Sequence, residues 1–270
     1  MRTVLVTGGT GGIGRAVALR IGASDDRVLF TGRDRGRGLE VLARLPDAEF
    51  LPADLALLAD TARLAGEVAA RTDVLDAVIC CAGCLSAVPV PTAEGLERTL
   101  VLNYLSRFLL IDRLRPLLRR SDAPRIVLVA AAGRYPDTLD LDDLHLSNST
   151  RRGLWVSGRT QFANDVLALE LAERLAPDGI NTYCVDPGLT RTDVFRRATG
   201  FPAPVRAIAT LAQRVAGRDP ARTAETPARL AAATERPSGF YGAGLRVIEA
   251  PAITPERRRA VWAATAAITG

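Results

Sequence analysis

Thr3-Val4-Leu5-Val6-Thr7-Gly8-Gly9-Thr10-Gly11-Gly12-Ile13-Gly14 decides how this chain is read. A short apolar run passes into a glycine cluster, and residues 13–22 continue with the apolar spacing of a helix. Gly8, Gly12 and Gly14 stand in a G-x-x-x-G-x-G spacing. The glycines answer three demands: a tight strand-to-helix turn, close approach of backbone to a pyrophosphate, and close packing of helix on sheet. A helix opened in this way turns free N–H groups and its positive dipole end toward phosphate. Directly after a first strand, the pattern points to a dinucleotide site.

Working outward, short apolar runs alternate with helix-period segments. Val4–Val6, Val28–Thr31, Phe50–Leu51, Val74–Cys80, Ile126–Ala130, Ile180–Val185 and Leu245–Ile248 read as strands. Helical patterns lie near 13–22, 37–45, 57–70, 95–119, 157–175 and 223–234, and Pro255–Ile268 reads as a terminal helix with Trp262 on its apolar face. This alternation predicts a single-domain, Rossmann-like α/β fold: a doubly wound parallel sheet of about seven strands, covered on both faces. Proline and glycine break the region 188–236 into short pieces, which predicts a helical lid over the carboxyl ends of the strands. Phe195, Phe201, Val205, Ile208 and Leu211 would make its mouth apolar.

Composition narrows the classes. At 270 residues, 48% apolar and 24% charged, the chain is an ordinary globular protein. No apolar run is long enough to span a bilayer and no signal peptide opens the chain, so a cytoplasmic protein without membrane contact is expected. The net charge is +5, yet the basic residues are interleaved with acids and aromatics make up only 5%, which argues against nucleic acid as a partner. All 35 basic residues are Arg; the chain contains no Lys. Cys81-Ala82-Gly83-Cys84 has C-x-x-C spacing without a second ligand pair, so no metal site is expected and Cys80, Cys81, Cys84 and Cys184 read as small apolar residues.

Thr7–Gly14, Asp54-Leu55, Ala82-Gly83, Asn103 and Pro187-Gly188 through Thr192 together resemble the short-chain dehydrogenase/reductase family. Gln161-Phe162-Ala163-Asn164 and Ser238-Gly239-Phe240-Tyr241 resemble its retinol-dehydrogenase-like branch. The resemblance implies that Thr7, Gly8, Thr10, Gly12, Ile13 and Gly14 cradle the cofactor. It implies that Asp54 and Leu55 meet the adenine, that Ala82 and Gly83 wall the adenosine, and that Pro187, Gly188 and Thr192 hold the nicotinamide. It also implies a homodimer or homotetramer formed through the helices near 95–119 and 157–175. Arg33, where an NAD-selective relative carries an acid, offers a guanidinium fork to a 2′-phosphate and favours NADP(H) over NAD(H), although Asp34 stands beside it.

The same resemblance exposes a gap. The family's proton relay uses Asn, Ser, Tyr and Lys, and here only Asn103 remains. Ala131, Ser157 and Gln161 occupy the places of Ser, Tyr and Lys. Codon bias would turn Lys into Arg, not Gln, and Arg159 points to nearly the opposite side of the helix. Asn103, Ser157 and Tyr135 are the remaining candidates for catalysis, with His145 in the acidic loop Asp140–Leu146 a weaker one.

Three functions fit these residues. One is an NADP(H)-dependent reductase of a hydrophobic small molecule in specialised metabolism, acting on an iminium or conjugated acceptor that needs no enzyme-borne proton. Another is a non-redox cyclase, isomerase or dehydratase on the same fold, and the third is a non-catalytic nucleotide-binding partner protein.

Overall fold

The computed structural model describes residues 1–146, 152–233 and 235–270. The expected strand–helix alternation is present: β1 (Thr3–Thr7), α1 (Gly12–Gly22), β2 (Arg27–Gly32), α2 (Arg35–Leu42), β3 (Ala48–Pro52), α3 (Leu58–Ala69) and β4 (Ala77–Cys80). Next comes one long helical run: α4 (Arg98–Leu100), a π-helical turn at Val101–Leu105, and α5 (Ser106–Leu118). After β5 (Arg125–Val129) come α6 (Trp155–Arg174) and β6 (Asn181–Val185). The chain finishes with α7 (Ala203–Ala216), α8 (Pro220–Thr223), α9 (Glu225–Ala231), β7 (Gly239–Tyr241), β8 (Val247–Ile248) and α10 (Pro255–Thr269).

The sheet order is β3-β2-β1-β4-β5-β6-β7-β8, parallel except for the last pair. The described residues hold eight strands, not seven. The one not anticipated, β7, is three residues long and follows Pro237 at Gly239, too brief and too glycine-rich to show an apolar period. Alternation along each strand divides the core. Val4, Val6, Val28 and Phe30 pack under α1 and α9, while Leu5, Leu29, Val78 and Leu128 pack under α3, α5 and α6. Chain direction across the sheet reverses between β1 and β4, so a crevice opens at their carboxyl ends.

Two expectations change. The stretch 188–236 does not lie wholly outside the core, because Ala224, Ala228, Leu230 and Ala231 are buried in the layer beneath β5 and only the part through α7 stands apart from it. The helix expected at 223–234 is two short ones, and residue 234 lies outside the described residues. Helix α10 lies over α5 and α6: Trp262 meets Phe108 edge-on at 4.6 Å, Arg174 stacks on Trp262 at 4.3 Å, and Tyr104 hydrogen-bonds Thr265 at 2.7 Å. It covers part of the helical surface on which self-association was expected.

Candidate active site

The glycine turn sits at the crevice. Gly8 and Gly12 have φ of +68° and +50°, and a Cβ on Gly8 would lie 2.9 Å from the backbone of Ala82. A Cβ on Gly14 would lie 2.4 Å from the Gly8 carbonyl, so α1 packs against its own turn as only glycine permits. The Thr7 hydroxyl accepts hydrogen bonds from the backbone N–H groups of Cys81 and Ala82 at 3.1 Å, tying the end of β1 to the end of β4. Gly11 caps α1 without a side-chain acceptor, which leaves the first N–H groups of the helix free for an anion. Ile13 is half-buried beside the core, and Thr10 lies on Gly32.

At the adenosine end, Arg33 follows β2, is 60% exposed, and lies 3.6 Å from Asp54. Asp34 is turned away: its carboxylate caps α2 by accepting from Arg37 N at 3.1 Å. Asp54 also accepts from Ala56 N, and Leu55 is buried, so this turn is held rigidly beside Arg33. At the opposite end, Gly188 (φ +63°) donates to Asp186 at 2.9 Å, opening the loop after β6. Thr192 comes down onto the glycine turn, its methyl 3.1 Å from where a Gly12 Cβ would be. Gln213 of α7 clamps this loop from behind, donating to Thr190 O at 2.6 Å and Thr192 Oγ1 at 3.0 Å.

The side chains expected at the relay are already hydrogen-bonded within the structure. Asn103 sits in the π-helical turn, accepts from Cys84 N at 2.8 Å, and donates to Cys84 O and Thr160 Oγ1. The Ser157 hydroxyl accepts from Ser86 N at 2.8 Å and donates to Ser86 O at 2.9 Å. It is a buried tether between α6 and the segment after β4. The Gln161 side-chain oxygen accepts from Ala131 N at 2.9 Å, so a neutral amide of α6 is bonded to the backbone just after β5. Arg159 lies elsewhere, in a buried ion pair with Glu97 at 3.0 Å. His145 joins none of the hydrogen bonds among Asn103, Ser157, Thr160 and Gln161.

Tyr135 is brought closer than its sequence separation suggests. A Cβ on Gly158 would lie 2.8 Å from the Tyr135 ring, so the phenol rests on α6 itself. Gly158 and Gln161 share a helix face at i, i+3, and Tyr135 is 36% exposed. A phenol supplied by the loop after β5 thus lies on the same face of α6 as Gln161.

Two buried charged residues went unnoticed in the sequence. Arg107, one turn after Asn103, donates to Asn164 Oδ1, Ala82 O and Val129 O, all at 3.0 Å, and burial lowers its pKa. Asp165, one turn beyond Gln161, accepts from Gly133 N at 3.0 and 3.1 Å. With no cation at hand, burial pushes its carboxyl up to about 7. Both sit within apolar helix patterns, where only their i+4 relation to Asn103 and Gln161 offered a signal. Burial also raises the thiols of Cys80, Cys81 and Cys84 to about 11, 12 and 11, so these cysteines stay protonated. Among the described residues no cluster of metal ligands occurs.

Comparison with known proteins agrees with this geometry. Residues 2–137 match the family model of short chain dehydrogenases. The chain is 32% identical over 208 residues to a mouse polyprenol dehydrogenase, covering 73% of this chain and 62% of that protein. It is 30% identical over 256 residues to human retinol dehydrogenase 14, covering 87% of this chain and 75% of that protein. In structure it superposes on a protein from Mycobacterium paratuberculosis with a TM-score of 0.77 at 23% identity, over 100% of this chain and 93% of the other.

Proposed function

Because this chain belongs to the short-chain dehydrogenase/reductase family, we propose that it is an NADP(H)-dependent reductase that delivers hydride to an acceptor needing little or no proton from the enzyme. The observation that carries this reading is the amide of Gln161 bonded to the Ala131 backbone at the relay position, beside a fully built dinucleotide cradle. A cation there would hold the tyrosine pKa down in an ordinary relative; the neutral amide has no such effect. An iminium removes that requirement, and a conjugated acceptor reduces it to protonation of the enolate that hydride addition forms, by Tyr135 or by solvent, so the protein mainly aligns cofactor and substrate.

In this reading the free N–H groups at the start of α1 meet the pyrophosphate and Arg33 turns from Asp54 to the 2′-phosphate, while Asp34 is engaged as the cap of α2. The nicotinamide lies along the loop from Pro187 to Thr192. Bound cofactor supplies hydride; the chain supplies orientation, with Tyr135 as the phenol that steadies or protonates the acceptor. Ser157 serves as a tether. A hydrophobic substrate fits both this reading and the two relatives, whose names specify a polyprenol and a retinol. Self-association, if through α5 and α6, uses surface that α10 leaves open.

The test is NADPH consumption on a matched pair, a cyclic N-alkyl iminium and the ketone of the same ring. The iminium is reduced and the ketone is not. Tyr135→Phe slows reduction of a conjugated acceptor by about 10²-fold, in the range of lost proton transfer, and barely affects the iminium. Equal rates on ketone and iminium would refute the reading.

A further inference from the structure

Helix α7 is built inside out. Its polar side packs on the protein through Gln213, which is 3% exposed, with Thr210 half-buried, while Arg206 stands partly exposed at the groove beside it. Its apolar side faces solvent, with Val205, Ile208, Leu211 and Val215 at 48, 69, 62 and 80% exposure. These four recur at i, i+3, i+6 and i+10, a single stripe nearly three turns long. The expectation that Val205, Ile208 and Leu211 line the substrate mouth is therefore corrected, because the face tied to the nicotinamide loop is the one carrying Gln213. An exposed aliphatic stripe flanked by polar residues marks a contact surface.

Charge identifies the contact. Residues 189–222 hold seven Arg (191, 196, 197, 206, 214, 218, 222) against Asp193 and Asp219, a surplus of five. That equals the whole chain's +5, so the remaining 28 Arg and 28 acids balance. The two aspartates are engaged by Arg196, Arg197 and Arg191. Arg206, Arg214, Arg218 and Arg222 form no ion pair among the described residues. A shallow groove of about 350 Å³ runs beside the stripe, and Arg196, Arg206 and Arg214 all line it with Leu211.

We propose that this face of α7 docks on a lipid bilayer bearing anionic headgroups. Aliphatic side chains enter the acyl boundary while the arginines along the groove take phosphate at headgroup level, as an interfacial helix requires. A second copy of the chain is a poor occupant, since the same face would set one fivefold positive surface against another. The site gains by this placement. Gln213 couples α7 directly to Thr192, so a docked helix holds the nicotinamide loop against the surface from which an apolar substrate would arrive. The docking itself does not rest on the redox reading.

Sedimentation of the full chain with vesicles of phosphatidylcholine, with or without about 30 mol% phosphatidylglycerol, tests it without cofactor. The chain partitions to the anionic vesicles, and at least about tenfold less to neutral ones or in high salt. Ile208→Glu with Val215→Glu lowers partitioning by about tenfold or more while the melting temperature holds. Should that variant fold poorly, Arg206→Gln with Arg214→Gln is read instead, with binding reduced on anionic vesicles only. No binding to anionic vesicles, or binding indifferent to both variants, overturns the proposal. So does a dimer in sedimentation velocity that Ile208→Glu with Val215→Glu dissociates, which would make the second copy the occupant.

Discussion

Three side chains define the chemistry of this site, and each is held by backbone. Gln161 is fixed to Ala131 N, Ser157 to both polar groups of Ser86, and Asn103 to Cys84. On the proposal that Ser157 and Gln161 stand at the family's relay positions, supplying tyrosine and lysine there is informative. Ser157→Tyr with Gln161→Lys is expected to gain NADPH-dependent ketone reduction by about 10²-fold or more, measured at saturating ketone. Asp165 gives a second test at this scale. Its carboxyl titrates near 7 when folded and near 3.8 when unfolded, so the folded chain holds a proton that unfolding releases. Stability therefore falls as pH rises from about 4 to about 7, by up to about 4 kcal/mol, and is flat for this group above that window. Asp165→Asn should flatten the profile, raising the melting temperature at pH 8 relative to the native chain and not at pH 4.

At the level of elements, the join between α4 and α6 bears most on the site. Glu97 caps α4 by accepting from Thr99 N and Leu100 N at 2.9 Å, and pairs with Arg159 at 3.0 Å, both side chains being 1% exposed. Burial lowers the pKa of Arg159 while Glu97 opposes that shift. Breaking one partner of such a pair strands the other, so Glu97→Gln should cost about 3–5 kcal/mol in denaturant unfolding. This join also commits Arg159, whose guanidinium is anchored to Glu97 at the start of α4 and to the Leu144 carbonyl. Gly158 matters for a different reason. A methyl there would displace the Tyr135 ring, so Gly158→Ala should lower turnover of a conjugated acceptor to the level of Tyr135→Phe while leaving cofactor affinity unchanged.

Across the whole molecule, the parts legible in the sequence are those governed by period and spacing. Short apolar runs located β1 to β6, and the glycine spacing fell at the crevice of the β1/β4 reversal. The two short strands at one end of the sheet were the harder case: the run at 245–248 marked β8, and β7 left no signal. Spacing could not show which polar groups are used up internally, so Ser157 read as a candidate donor until its bonds to Ser86 were seen. Nor could it show which way an amphipathic helix faces; the stripe of α7 read as a substrate mouth, yet the structure turns it outward. Arg107 and Asp165 were hidden for a related reason, because a buried charge in an apolar helix has no periodic signature.

The proposed function depends on one claim: that the dinucleotide cradle binds cofactor although Ser157 and Gln161 replace the usual relay groups. Fluorescence titration of the chain with NADPH and with NADH tests it most directly. Saturable binding of NADPH in the micromolar range is predicted, weaker for NADH by about tenfold in line with one lost guanidinium–phosphate contact, and abolished by Gly12→Val. Absence of NADPH binding at concentrations of about 50 µM, with the chain folded, would contradict it.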